Sequence, residues 1–92
     1  MNLHLSAQFL ADLERLEPRE RSRVLDALLA LPAAFRHPHQ HSGLGIRKIH
    51  PSGVWEGRAG LGLRILFVLK SNTIFAEAVG DHDHVQRYLR RL

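Results

Sequence analysis

Four side chains in the C-terminal half are of types that together bind an anion and move protons: Glu56, Arg58, Arg64 and His82. Glu56 and Arg58 stand two apart in Val54-Trp55-Glu56-Gly57-Arg58, so an extended chain puts them on one face. Arg64 is the single charge in the apolar run Leu63–Leu69. A guanidinium there needs a partner or a ligand, because an unpaired buried charge is very costly. Phosphate suits it, since the guanidinium fork donates two parallel hydrogen bonds. His82 lies in Gly80-Asp81-His82-Asp83-His84, and an imidazole changes charge near neutral pH.

These residues must be positioned by strands. Leu63–Leu69 and Ile74–Val79 are apolar runs separated by the turn-like Lys70-Ser71-Asn72, and such runs read as strands, the first buried on both faces. Gly60-Leu61-Gly62 turns the strand Val54–Gly60 into the first run. Three short antiparallel strands then bring Arg58, Arg64 and His82 towards a common region.

Upstream, Asn2-Leu3-His4-Leu5 alternates polar and apolar residues as a short strand does. Ser6 is placed to cap a helix whose apolar stripe is Phe9, Leu10, Leu13 and Leu16, with Asp12, Glu14 and Arg15 on the other face. Pro18 suits the first turn of a second helix, which carries Val24, Leu25, Leu28 and Leu31. Pro32 predicts its end near Leu31. Two amphipathic helices joined this closely make a hairpin whose apolar faces need a sheet to cover. Ile46-Arg47-Lys48-Ile49 is an extended approach to that sheet. VQRYLRRL closes the chain with Val85, Tyr88, Leu89 and Leu92 at helical spacing, and Arg87, Arg90 and Arg91 outward. The order is βααβββ(α), an α+β class in a single domain, 1–92.

Composition narrows the setting. Ninety-two residues suffice for one modest core, and the 45% hydrophobic content is that of a globular chain. There is no cysteine, which excludes disulfides and thiolate metal sites and fits a reducing cytoplasm. No signal peptide is visible, and no apolar run is long enough to cross a bilayer. The net charge of +4 lies wholly in residues 43–92, which hold eight Lys/Arg against four acids, whereas residues 1–42 balance five against five. A basic half around the candidate site points to a polyanionic partner, most simply nucleic acid. A basic surface kept for solubility or for an acidic protein has the same charge.

Each candidate also has a structural reading. Arg64 and Glu56 could form a cross-strand ion pair. Asp81, His82 and Asp83 could cap the terminal helix, or with His84 ligate a metal. Trp55 and Tyr88 could be core aromatics. His37, His39 and His41 alternate in the linker, but a Pro- and Ser-bearing loop need not hold three rings in one coordination geometry, and no carboxylate lies nearby in sequence. The reading therefore expects no cofactor and no metal.

In this order and at these spacings the chain resembles the RelE/ParE toxins of bacterial type II toxin–antitoxin modules, over nearly its whole length. SAQFLADLERLEP is similar to the family's opening helix. Val54-Trp55-Glu56-Gly57-Arg58 and Leu63-Arg64-Ile65-Leu66-Phe67 resemble two of its strands. Val79-Gly80-Asp81-His82-Asp83 with Tyr88 resembles the close of one branch. The resemblance implies two helices packed on a curved, mostly antiparallel sheet, and neutralisation by a cognate antitoxin. RelE-like members cut mRNA at the ribosome by 2′-OH attack on the adjacent phosphate; ParE-like members share the fold and poison DNA gyrase without cleaving RNA.

Such cleavage needs a base for the 2′-OH, cations for the phosphate and an acid for the leaving 5′-oxygen. Arg64 and Arg58 match the family's basic strand positions. His82 matches a leaving-group residue, and Tyr88 a tyrosine that stacks a base or orients the phosphate. Glu56, the only carboxylate on the face of Arg58, is the candidate base. Arg47 and Lys48 complete the set as substrate-binding residues. Strongly nucleolytic members crowd lysines around the site, whereas this chain has only Lys48 and Lys70, and Asp81 and Asp83 flank His82. Ribosome-dependent mRNA cleavage is the leading expectation, with ribosome, mRNA and antitoxin as partners and no membrane. The alternatives are a gyrase poison and a non-toxic binding domain of the same fold.

Overall fold

A computed structural model describes residues 1–36 and 44–92. The elements run β1 (Asn2–Leu5), α1 (Ala7–Arg15), α2 (Pro18–Arg36), β2 (Arg47–His50), β3 (Val54–Arg58), β4 (Arg64–Lys70), β5 (Thr73–Gly80) and α3 (His82–Arg90). The strands form one five-stranded sheet in the order β1-β5-β4-β3-β2. β1 runs parallel to β5 and every other pair is antiparallel. The α+β class holds, with one strand more than βααβββ: the extended approach around Arg47 and Lys48 pairs with β3 as an edge strand.

β4 divides the molecule in two. Its alternate residues Ile65, Phe67 and Leu69 face the α1–α2 hairpin, where they meet Phe9, Val24, Leu28 and Leu31. Leu66 and Val68 face the other way and pack with Val54, Ala78 and Val85 beneath α3. A run apolar at every position therefore serves two cores. β5 has to match both, and it does so through a bulge. Leu66 pairs with Ala78 and Phe67 with Ala76, leaving Glu77 as the extra residue. The inserted residue shifts the alternation, so that Ala76 and Val79 join the helix-hairpin core while Ala78 joins the α3 core.

α1 is fastened to the end of β5 by side chains. Ser6 caps the helix by accepting from Phe9 N–H at 3.0 Å, and its hydroxyl donates to Glu77 O at 3.0 Å. β1 pairs only as far as Leu5 with Ala76, so the edge of β5 beyond it has lost its strand partner. Asp12 takes that place: its Oδ2 accepts from the buried Val79 N–H at 3.1 Å. Asp12 is thus buried, in contrast to the exposed polar face that its spacing predicts. Helical periodicity sees only the helix, whereas an orphaned strand N–H demands an acceptor from whatever passes over it.

α2 also departs from expectation. Pro32 lies inside it, and the helix continues to Arg36. The lost backbone hydrogen bond is offset by what the extra turn delivers. Ala34 is buried, and Phe35 packs edge-on to both Trp55 and Phe67, each at 5.7 Å between ring centres. Among the described residues no helix is long and apolar enough to cross a membrane. His37, His39 and His41 lie outside the described residues.

Candidate functional site

Glu56 sits mid-strand in β3, 8% exposed, and its Oε1 is shared between two guanidiniums. Arg47 Nε of β2 lies 3.4 Å away and Arg64 Nε of β4 lies 3.6 Å away. Arg64 is not Glu56's direct partner across the sheet; Arg58 faces Arg64 and Leu66 faces Glu56. The ion pair is therefore diagonal, a reach that long side chains span. Arg64 is further held by donating from Nη1 to Leu63 O at 3.0 Å. The buried-arginine problem set by the sequence has both answers at once: a carboxylate and a backbone carbonyl.

α3 closes the site. Asp81 caps it by accepting from His84 N–H at 2.9 Å, which is one of the roles its position in the sequence left open. Val85, Tyr88 and Leu89 pack it on the sheet. Residues to either side of that seam then face two different grooves. His82, Gln86, Leu89 and Arg90 line a groove of about 530 Å3, opposite Arg47, Lys48, Ile49, His50, Glu56 and Arg64. Four cations, Arg47, Lys48, Arg64 and Arg90, surround its one carboxylate. An anion-binding groove holding an exposed imidazole and a carboxylate with a second oxygen is what this arrangement offers chemically.

Of the residues singled out by sequence, the groove brings together Glu56, Arg64, His82, Arg47 and Lys48. Arg58 and Tyr88 do not line it. The Arg58 side chain runs towards the chain before β2 and crosses Gly45, where an added Cβ would fall 2.9 Å from its Nε. Two arginines directly opposite repel, and they part: Arg64 towards Glu56, Arg58 towards Gly45. Tyr88 lies on the sheet-facing seam of α3 beside Glu77. Burial above all, then the Glu77 charge and hydrogen bonding with it, push its phenol above the ordinary value, while Arg91 pulls the other way. Gln86 and Arg90 were not singled out; the signal available was their spacing of four and eight residues from His82, which puts all three on one helical face.

His84 turns to the opposite side. Its Nε2 comes within 2.9 Å of Asp12 Oδ2, though at an angle that does not complete a hydrogen bond. Asp12 Oδ1 accepts from Gln8 Nε2 at 2.7 Å. The His84 side chain packs against Gly80, where any Cβ would fall 2.6 Å from its Cδ2; only glycine admits it. His82 and His84 thus serve separate faces of α3. Among the described residues no group of three His, Cys, Asp or Glu side chains converges as metal ligands do.

No family model matches the chain, and no curated protein matches it significantly. Its fold is that of solved toxins. The toxin in the RelB–RelE antitoxin–toxin complex from Methanococcus jannaschii superposes with a TM-score of 0.67 at 20% identity, covering 92% of this chain and 96% of that one. YafQ from E. coli superposes at 0.65 with 14% identity, over 91% and 96%. The YoeB/ParE toxin from Agrobacterium tumefaciens superposes at 0.65 with 20% identity, over 89% and 99%. The RelE-like fold expected from the sequence is therefore the observed one.

Proposed function

We propose that this chain is the toxin of a toxin–antitoxin module and cuts mRNA in the groove between α3 and the strands β2, β3 and β4. The observation that carries the reading is the meeting of Arg64, Glu56 and His82 in one cationic groove. Arg64 and Arg47 hold the scissile phosphate and, with it, the charge that grows on its oxygens. Glu56 contacts both arginines through Oε1, which leaves Oε2 to take the proton of the 2′-OH. The O2′–P bond forms and the P–O5′ bond breaks. His82, exposed at the start of α3, gives its proton to the leaving 5′-oxygen. The products are a 2′,3′-cyclic phosphate and a 5′-hydroxyl. Lys48 and Arg90 bind neighbouring phosphates.

A partner follows from the same fold. The M. jannaschii neighbour was solved as an antitoxin–toxin complex, and a YoeB–YefM complex from Staphylococcus aureus superposes at a TM-score of 0.66 with 15% identity. Leu10 on α1 and Leu25 and Leu29 on α2 are exposed, and each offers an apolar contact to an amphipathic antitoxin segment. Co-expression with the acidic product of the adjacent gene is expected to yield a stable complex and to suppress toxicity.

One observation favours a second reading. The Glu56 carboxylate bridges the two arginines nearest to it and offsets one of their two charges, as a purely structural ion-pair network would. A ParE-like poison of DNA gyrase needs no nuclease chemistry and tolerates that arrangement. Induction in cells separates the readings. Cleavage predicts arrested translation and mRNA ends within codons, with DNA topology untouched. Double-strand breaks with intact mRNA would replace it with the gyrase reading.

A further inference from the structure

A second cationic groove lies on the other side of α3. It measures about 520 Å3 and is lined by Gln8 and Arg15 of α1 and by His84, Arg87, Arg90 and Arg91 from α3 and its C-terminal end. None of these four arginines forms an ion pair among the described residues, where the carboxylates engaged are Glu56 and Asp12. Asp12 is close by but unavailable, since Val79 N–H, Gln8 and His84 already surround it at 1% side-chain exposure. Arg15, Arg87 and Arg90 each stand in the last turn of a helix, where a cation interacts favourably with the helix dipole. That effect explains each arginine singly. It does not explain why arginines from two helices converge on one groove, at the cost of mutual repulsion.

The groove adjoins the candidate cleavage groove at one side chain, Arg90, which lines both. The two together form a cationic track around the end of α3, from Arg47 and Lys48 to Arg15. We propose that the α1–α3 groove holds the sugar–phosphate backbone of single-stranded RNA outside the cleaved position, so that the chain grips several consecutive phosphates. The proposal rests on the RNA reading of the first groove. Four unpaired guanidiniums suit phosphates spaced along a strand, each taken bidentately. An acidic protein segment would satisfy the same charges, and the test below separates the two.

The test measures binding of the full chain, by fluorescence anisotropy, to uncleavable 2′-O-methyl RNA strands of 6 and 16 nucleotides across a salt series. With the second groove engaged, the 16-mer binds more tightly and with a steeper salt dependence. The double variant Arg15→Gln/Arg87→Gln alters exposed residues and should fold normally. It is expected to lower the log–log salt slope for the 16-mer by roughly 1.4, about 0.7 per lost phosphate contact on a single strand, and to leave the 6-mer unchanged. Arg64→Ala should instead weaken the 6-mer. An unchanged 16-mer slope in the double variant would overturn the proposal, as would equal losses for both lengths. So would a 16-residue polyglutamate that binds more tightly than the RNA and depends on Arg15 and Arg87, because the groove would then belong to an acidic protein. If Arg64→Ala and His82→Gln keep full toxicity while the length effect persists, the cleavage reading fails and the groove stands.

Discussion

Glu56 Oε1 lies 3.6 Å from Arg64 Nε, diagonally across β3 and β4, and the same oxygen lies 3.4 Å from Arg47 Nε. Removing either partner therefore tests structure and chemistry together, and the two must be read by separate measurements. Arg64→Ala is expected to cut RNA cleavage roughly 100- to 1,000-fold, as the loss of one donor to a developing oxyanion does. Glu56→Gln keeps the shape and removes the base, and is expected to lose about 100- to 10,000-fold. A double-mutant cycle on thermal stability gives the ion-pair term, expected at about 0.5–3 kcal/mol for groups in contact. Cleavage that survives in both variants, with the stability coupling intact, would leave the pair a structural one.

His82 and His84 stand two residues apart and line different grooves, so they should fail in different ways. His82 is exposed and makes no hydrogen bond or ion pair among the described residues, and His82→Gln is expected to lose cleavage at unchanged Tm. The same variant should flatten the alkaline limb of the pH–rate profile, because its proton donor is gone. His84→Gln should lower Tm and leave that limb in place. The reverse assignment, with the pH limb lost only in His84→Gln, would move the acid to the Asp12 side of α3.

The sequence carries the strands of this site better than the site's edges. Arg64 in an apolar run announced both a strand and a partner, and the partner is Glu56 on the neighbouring strand. The β4–β5 hairpin was equally plain at Lys70-Ser71-Asn72, where Ser71 and Asn72 both take the positive φ of a tight two-residue turn. What stayed hidden depends on relations between elements. Asp12 reads as a solvent-facing helical residue until the edge of β5 beyond β1 is known. β2 is four residues with two charges, too short and too polar to read as a strand without its neighbour β3. Pro32 gives a correct local preference that Phe35, wedged between Trp55 and Phe67, overrides. Tyr88 and Gln86 differ by only two positions, yet the helix turns one to the sheet and the other to the groove.

Tyr88 gives a prediction at alkaline pH. Its phenol is raised above 10.0 by burial first and by Glu77 second. The unfolded chain releases that proton near pH 10, while the folded chain still holds it. The stabilisation is therefore complete below about pH 10 and is lost as pH rises through the higher folded value. Melting of the wild type and of Tyr88→Phe should run in parallel up to about pH 10, and the wild type should then fall relative to the variant. Curves that stay parallel above pH 10.5 or so would mean that the phenol gains nothing from its surroundings.

Asp12 is the remaining hinge between fold and site. Its Oδ2 is the acceptor for the buried Val79 N–H at 3.1 Å and the contact for His84 at 2.9 Å, so one carboxylate ties α1 to β5 and to α3. Asp12→Ala removes the acceptor and leaves the Val79 amide without a partner, at a cost of about 1–3 kcal/mol. For a domain of this size each kcal/mol lowers Tm by roughly 4–8 °C. Asp12→Asn keeps an oxygen for Val79 N–H and should cost less, which separates loss of the acceptor from loss of the charge. Hydrogen exchange at the Val79 amide is the direct reading: fast in the alanine variant, slow in the asparagine one. Because α3 carries His82 and Gln86 on its other side, the alanine variant should also lose turnover, and the asparagine variant should recover most of it. A protected Val79 amide in Asp12→Ala would show that another group serves the edge of β5, and the link from Asp12 to the groove would fail with it.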